Sequence, residues 1–193
     1  MKTSFRRAAA AGVLICMGCI VSLMAGGGLQ GAVLFSAGLW FVVQFDAELF
    51  TGRVARSDYD PAQKLLMLLF NLIGAGLCGL IASFFLPEDA LSGAAAVTAR
   101  YADPLKVLWQ GVMCGVCMYL ATAPAVKETG RLPFVLYGVT LFILSGYAHS
   151  IALAGYAGLA RSVAWWVIPL AAAGNALGSY LIRWLLSARP KGV

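Results

Sequence analysis

The sequence predicts an all-α integral membrane protein with six spans, arranged as two inverted three-helix repeats in which helices two and five are broken. The 193 residues are 61% hydrophobic and 11% charged, with a mean hydropathy of +0.85. Soluble domains are nearer half apolar and a quarter charged. Apolar runs of about 20 residues, the length that crosses a bilayer, fill most of the chain. Two of these runs are interrupted by polar residues at matching positions.

The composition indicates a single transmembrane domain and no soluble one. Six spans take up roughly two thirds of the chain, so we expect a single transmembrane domain over 1–193, surrounded by membrane lipid. The net charge of +6 then bears on orientation, and no nucleic-acid partner is expected. Two CxxC pairs lie inside apolar runs without nearby histidine, so we expect no metal, cofactor or disulfide and assign the cysteines to helix contacts. The five are Cys16, Cys19, Cys78, Cys114 and Cys117.

The first repeat covers about 8–87. Its second span is too short to cross alone, because it is apolar only to Phe45 and is then interrupted by FDAELFTGR at 45–53. A polar loop leads to Pro61, a residue suited to the start of a helix. The predicted spans are 8–24, 31–55 with the break, and 65–86.

The second repeat covers about 104–187. A weakly polar connector at 90–103 precedes it, and its second span is interrupted within LSGYAHSIALAG at 144–155. The predicted spans are 104–123, 132–159 with the break, and 164–186, with a loop at 124–131 and a basic tail at the end of the chain.

Two glycine pairs indicate the repeat. Gly38 and Gly138 lie 100 positions apart, and so do Gly74 and Gly174. The same offset places Asp46 on Gly146 and Leu49 on His149, so both breaks coincide. Because three spans separate the copies, the second is inverted, and paired breaks of this kind point to a binding site or pore near the membrane midplane. We expect the first apolar run to remain as a span, because its removal would leave its counterpart unpaired.

The distribution of lysine and arginine predicts the orientation. With the N-terminus in the cytoplasm, eleven of these residues lie inside and three outside, which follows the positive-inside rule and places both termini in the cytoplasm. The inner set is Lys2, Arg6, Arg7, Arg53, Arg56, Lys64, Lys127, Arg131, Arg183, Arg189 and Lys191, and the outer set is Arg100, Lys106 and Arg161.

His149 is the strongest candidate for a functional residue. It is the only histidine, and it lies at a break inside a span, where an ionisable side chain marks a pathway more often than a core contact. A histidine titrates near neutrality and can exchange a proton with a weak acid. We see no haem motif around it.

The other polar residues at the breaks have two interpretations each. Asp46 and Glu48 either cap freed amides or form salt bridges, and both roles fit better than contact with an anion. Thr51 offers a hydroxyl to the path. Asn175 either bonds the unwound backbone of a neighbouring helix, the structural role that we favour, or faces the pore. Ser150 is also assigned a structural role. Three bulky residues near the breaks are either ordinary packing or a hydrophobic constriction: Leu49, Phe50 and Phe142.

Three motifs resemble those of the formate/nitrite transporter family. AELFTG at 47–52 is similar to the family's A-E-L-F-T-G at the break of span two. GYAHS at 146–150 resembles its G-F-E-H-S at the break of span five. GNALG at 174–178 resembles its G-N-x-x-G-G in the last span. The order and the span context agree over nearly the whole chain.

The resemblance implies an aquaporin-like protomer, usually assembled as a homopentamer with one pore per protomer. It implies passage of small monovalent anions such as formate, nitrite or hydrosulfide, often linked to protons. His149 would be the central pore histidine, with Thr51 facing it, and Leu49, Phe50 and Phe142 would lie where the family builds its constrictions.

This chain departs from the family pattern at three positions. Ala148 stands in place of the family's glutamate before the histidine, and Gly115 in place of its asparagine in span four. Ala99 stands in place of its lysine before that span. Arg100 or Lys106 is then the candidate for the positive charge that attracts anions, although arginine is the larger and permanently charged group.

We therefore expect a non-enzymatic channel for small monovalent anions in the cytoplasmic membrane, proton-assisted through His149. Two alternatives stay open. The missing lysine and asparagine favour a channel for a small neutral solute. A non-conducting membrane scaffold would also tolerate the loss of polar pore residues.

Overall fold

The computed structural model describes residues 4–123, 130–163 and 166–187. Within these ranges the secondary structure is helical, with nine α-helices and no strand, which confirms the predicted all-α class. The helices are α1 Phe5–Met24, α2 Gly28–Gln44, α3 Phe50–Arg53, α4 Pro61–Ala82, α5 Glu88–Ala99, α6 Pro104–Thr122, α7 Arg131–Leu144, α8 Ser150–Ala160 and α9 Val167–Ser187. Lys2, Lys127, the basic tail with Arg189 and Lys191, most of the loop 124–131 and the predicted start of span six at Ala164 lie outside the described residues.

Three of the described helices are long and apolar enough to cross a membrane by length and composition: α1, α4 and α6. The apolar helices α2, α7 and α8 are shorter than a crossing. The predicted second span consists of α2 and the four-residue α3, and the predicted fifth span consists of α7 and α8. Each pair is separated by a stretch without helix, at 45–49 and 145–149.

The sequence predicted a connector at 90–103, and this prediction is corrected, because most of that stretch is the helix α5. Pro87 precedes this helix, and Glu88 and Asp89 lie in its first turn, where acidic side chains favour the positive end of the helix dipole. Ala90 and Ala94 are buried, and α5 contacts α8. An alanine-rich run is weakly hydrophobic but has the highest helix propensity, which explains why hydropathy missed it.

The start of α4 follows the predicted chemistry. Pro61 is its first residue, and the Asp60 carboxylate accepts a hydrogen bond from the Gln63 amide at 2.9 Å. The Gln63 side chain in turn accepts from the Asp60 amide at 3.0 Å, which completes a capping box. The helix ends at Ala82, short of the predicted Leu86.

α8 lies at the centre of the packing. It contacts α1, α4, α5 and α9, and eight of its eleven residues are buried. α6 packs on α9 through glycines. A Cβ atom added at Gly178 would meet the Val112 carbonyl oxygen, and one at Gly174 would lie 2.6 Å from that of Leu108. These glycines allow the close helix approach that small residues provide in membranes.

The outer faces of the helices are apolar. Large hydrophobic side chains that are more than a third exposed occur on α1, α2, α4, α6, α7 and α9. Contiguous apolar surface on this scale requires lipid or another protein around it. Together with the spans of α1, α4 and α6, it identifies a membrane protein.

Candidate functional site

The two breaks have the same backbone hydrogen bonds. In the first, the amides of Phe45, Asp46 and Ala47 donate to carbonyls of the last turn of α2, at 2.9, 3.2 and 2.8 Å. In the second, residues 145–147, each 100 positions later, donate to the equivalent carbonyls of α7 at 3.1, 3.1 and 2.9 Å. The middle residue has a positive φ in both, 50° at Asp46 and 68° at Gly146. The predicted offset of 100 therefore matches the geometry of the breaks.

Asn71 holds the first break in place, and sequence reasoning missed it. Its Oδ1 accepts from the Phe50 amide at 2.7 Å, and its Nδ2 donates to the carbonyls of Ala8 and Glu48 at 2.7 and 2.8 Å. The side chain is fully buried in α4. It satisfies two backbone groups that the break leaves open, the Phe50 amide and the Glu48 carbonyl, and its bond to Ala8 ties α4 to α1.

Asn175 does the same for the second break. Its Oδ1 accepts from the Ser150 amide at 2.9 Å, and its Nδ2 donates to the carbonyls of Gly111 and Ala148 at 2.9 and 2.8 Å. Ser150 is also buried, and its Oγ has no hydrogen-bond partner among the described residues. The contacts of Asn175 support the structural role expected for it.

These contacts revise one glycine pair. Asn71 matches Asn175, so Gly74, three residues after Asn71, corresponds to Gly178, three residues after Asn175. A Cβ atom at Gly74 would meet the Ala9 carbonyl oxygen of α1, as one at Gly178 would meet an α6 carbonyl. The predicted pairing of Gly74 with Gly174 is wrong by one helical turn. The signal available in the sequence was the shared N-x-x-G pattern.

Thr51 and His149 meet across the two breaks. Thr51 Oγ1 lies 2.9 Å from His149 Nε2, and both side chains are buried. His149 Nδ1 accepts from the Ala152 amide at 3.0 Å and caps the start of α8. Because a backbone amide only donates, Nδ1 carries no proton, so the ring proton is on Nε2 and is donated to Thr51. The imidazole bonded in this way is neutral.

One aromatic ring stacks on the histidine, and a second ring packs against the first. The Phe142 ring stacks on the imidazole with a centroid distance of 5.4 Å and an interplanar angle of 22°. Phe35 meets Phe142 edge-on at 5.7 Å and 90°. Leu49 belongs to the same buried cluster. Phe50 lies apart, in a second cluster with Ala8, Val54, Tyr59, Met67 and Ala172.

Two cavities open near this contact, and they differ in their lining. The first cavity, of about 140 Å³, is lined by Val42, Val43, Asp46, Ala47, Leu49, Gly52, Arg53, Arg56, Thr122 and Arg131. The second cavity, of about 50 Å³, is lined by Val97, Arg100, Tyr101, Phe142, Ile143, Gly146, Tyr147, His149, Ala152, Leu153 and Tyr156. Leu49 and Gly52, on either side of Thr51, face the first cavity, and His149 faces the second.

The second cavity distinguishes the two candidate cations. Arg100 lines it, whereas Lys106 is exposed at the start of α6 and is not among its lining residues. Tyr101 beside Arg100 is buried, and this burial raises its pKa to about 12. Tyr101 is therefore a neutral phenol at any physiological pH and offers the cavity a hydroxyl.

The two acidic residues of the first break contact neighbouring segments. The Asp46 carboxylate forms salt bridges with Arg7 and Arg53. The Glu48 carboxylate accepts from the Ser4 amide at 2.9 Å, ahead of α1. The salt-bridge interpretation therefore fits Asp46. The Phe50 amide, which the break leaves without a helix partner, donates to Asn71 Oδ1 rather than to either carboxylate.

The cysteines are free thiols within helices. Cys16, Cys19, Cys114 and Cys117 are buried and Cys78 is partly buried, which fits the expected helix-contact role. No group of three or more His, Cys, Asp or Glu side chains that could hold a metal ion occurs in the part of the chain that the structure describes.

Two solved structures share this fold. A structure described as an FNT family ion channel superimposes with a TM-score of 0.80 at 22% identity, covering 96% of this chain and 90% of that one. One described as a pentameric formate channel with formate bound gives a TM-score of 0.77 at 20% identity, covering 96% of each chain. No protein-family model matches the chain, and no curated protein matches it. The protein therefore has the fold of these channels.

Proposed function

We propose that this protein is a member of the formate/nitrite transporter family and conducts small monovalent anions, formate, nitrite or hydrosulfide, across the cytoplasmic membrane. The contact between Thr51 and His149 carries this proposal. It joins the two broken helices between a cavity on each side, and it places hydrogen-bonding groups within otherwise apolar surroundings. The likeness to a pentameric formate channel supports the same substrate class.

The architecture we propose is a six-span, aquaporin-like protomer made of two inverted repeats, about 8–87 and 104–187. The matching hydrogen bonds at the two breaks and the matching contacts of Asn71 and Asn175 support the repeat. The arginines Arg7, Arg53, Arg56 and Arg131 gather near the first cavity, and Arg100 lies at the second. By the positive-inside rule, the first cavity faces the cytoplasm and both termini lie inside.

Each protomer would carry its own pore. Leu49 on the cytoplasmic side and Phe142 on the outer side form the apolar constriction, with Thr51 and His149 between them. Phe50 would be a packing residue because it belongs to a separate cluster. The name of one structural neighbour supports a homopentamer, and the exposed apolar helix faces supply surface for it.

The apolar constriction explains why a proton is needed. A bare anion in a narrow apolar passage has lost its hydration and is costly there. Arg100 attracts the anion into the second cavity. His149 first takes up a second ring proton from water and then gives one proton to the anion, which crosses as the neutral acid and releases that proton to water on the far side. His149 is neutral between transfers, since Nδ1 accepts from Ala152, and a second ring proton requires release of that amide. Loss of this helix cap costs about 0.5–2 kcal/mol, which disfavours a permanently protonated His149.

A channel for a small neutral solute is the second candidate. The neutral imidazole favours it, because the centre of the path then has hydrogen-bonding groups without a fixed charge. A non-conducting scaffold is the remaining alternative.

Flux into proteoliposomes that contain the purified protein tests the proposal. The solutes are formate, nitrite, hydrosulfide, acetate and glycerol, each at two pH values, with protein-free vesicles as the control. Anion uptake that rises on acidification is expected. Uptake of glycerol without anion uptake would favour the neutral channel, and absence of any uptake would favour the scaffold.

A further inference from the structure

One charged cluster at the first break has no role in the central contact. Asp46 accepts hydrogen bonds from arginines of two different helices. Its Oδ2 lies 2.7 Å from Arg7 Nη2 of α1, and its Oδ1 lies 2.5 Å from Arg53 Nη2 of α3. Asp46 and Arg53 also line the first cavity. The cluster therefore lies at the mouth of the path.

The backbone does not require an aspartate at this position. Residue 46 has a φ of 50°, in the left-handed region that favours glycine, and its counterpart in the second break is Gly146, at 68°. Aspartate tolerates this conformation at some cost. The carboxylate is thus an addition to a turn that the second break makes without any side chain.

Arg53 is buried and has hydrogen bonds besides its ion pair, whereas the Asp46 carboxylate is exposed to solvent. The Arg53 side chain is only 9% exposed, and it donates from Nη1 to the Tyr59 hydroxyl at 2.5 Å and from Nη2 to the Asp46 carbonyl at 3.0 Å. The Asp46 side chain is 66% exposed. If the carboxylate swings out, these two hydrogen bonds still hold the guanidinium at the cavity wall. An incoming anion would take the place of the carboxylate, so the buried guanidinium would keep a charged partner throughout the exchange.

We propose that Arg53 is the anion-binding group of the first cavity, and that the Asp46 carboxylate is a tethered competitor that occupies its place. The ligand class is a small monovalent carboxylate or an oxyanion of similar size, because guanidinium binds such groups through paired N–H donors. The cavity of about 140 Å³ has room for one, with Gly52 and Thr122 also in its wall. This inference rests on the proposed anion channel and adds a second anion site to it.

The test removes the competitor and keeps the turn. Asp46→Asn is isosteric, lacks the charge and accepts a positive φ. Asp58→Asn is the matched control: Asp58 pairs with Arg56, which lines the same cavity, at 2.6 Å between Oδ2 and Nη2. Asp46→Asn combined with Arg53→Lys tests whether the effect runs through Arg53. Asp46→Gly replaces Asp46→Asn if that variant is unstable.

Two readouts are used on the full chain. One is the formate concentration that gives half-maximal uptake into proteoliposomes, and the other is the rise in Tm that sodium formate causes in detergent. We expect Asp46→Asn to lower the half-maximal concentration by about two- to fivefold and to enlarge the rise in Tm. Asp58→Asn should do neither, and the gain should vanish when Arg53 is also changed.

The inference would be overturned if Asp46→Asn had the half-maximal formate concentration and the rise in Tm of wild type. It would also be overturned if Asp58→Asn bound formate more tightly by the same factor, or if the tighter binding persisted when Arg53→Lys was added. If no variant takes up formate, the proposed transport function fails. The rise in Tm then decides the inference alone, because it reports formate binding without conduction.

Discussion

Asn71 and Asn175 make equivalent sets of three hydrogen bonds, two to the backbone of a break and one to a neighbouring helix, α1 or α6. Each accepts one amide at the restart of a helix and donates to two carbonyls, at distances of 2.7–2.9 Å. Both are fully buried in helices that follow a break in the chain. The irregular backbone beside the candidate pore is therefore stabilised from α4 and α9, and membranes tolerate such backbone only when its polar groups are satisfied.

Replacement of either asparagine should destabilise the protein strongly. Asn71→Ala removes the side-chain partner of two buried groups at the break, the Phe50 amide and the Glu48 carbonyl, and each unsatisfied group costs about 1–3 kcal/mol. Asn175→Ala should be similar, and the Tm in detergent measures both. Gln30→Ala, at an exposed residue of α2, serves as the control and should leave Tm unchanged. Equal Tm values in all three variants would mean that the asparagines do not hold the breaks.

The Thr51 hydroxyl should be needed for transport. Thr51→Val keeps the shape but leaves the Nε2 proton of His149 without its acceptor at 2.9 Å. We expect formate uptake to fall about tenfold, the effect of 1.4 kcal/mol. Thr51→Ser, which restores the hydroxyl, should retain most of the flux. Wild-type flux in the valine variant would remove Thr51 from the path.

The apolar constriction should select by size. Leu49→Ala removes side-chain volume from the buried cluster that contains Leu49 and Phe142. The passage should become wider, so uptake of acetate should rise relative to uptake of formate. Phe50→Leu is the matched control, because Phe50 packs in the separate cluster, and its acetate-to-formate ratio should match wild type. The ratio is measured in one competition assay. A larger change in Phe50→Leu than in Leu49→Ala would contradict the assignment.

Arg100 should attract anions into the second cavity. Arg100→Gln removes the charge that lines this cavity, so formate uptake should fall at low ionic strength. The deficit should shrink in high salt, because ions screen exposed charges over about 10 Å at 0.1 M. Lys106→Gln should have little effect, since that residue is not part of the lining. A stronger defect in Lys106→Gln would exchange the two roles.

Polar residues within apolar runs were enough to predict the two breaks, which the structure places at 45–49 and 145–149. Polar groups inside a span need hydrogen-bond partners, and irregular backbone is tolerated there only when it has them. α5 was missed because alanine contributes little hydropathy and much helix propensity. Asn71 was missed because the offset of 100 does not align it with Asn175, although both stand in an N-x-x-G pattern. The contact between Thr51 and His149 was expected from the family resemblance alone, since residues 98 positions apart meet only through the tertiary fold.

In the proposed function, anions pass His149 with the help of a proton. The most direct measurement is formate uptake into proteoliposomes at several pH values, for wild type and His149→Asn. We expect wild-type uptake to rise on acidification, because the proton neutralises formate at the constriction, and we expect His149→Asn to change this pH dependence. The same pH dependence in both proteins would contradict the role of His149 as the proton partner.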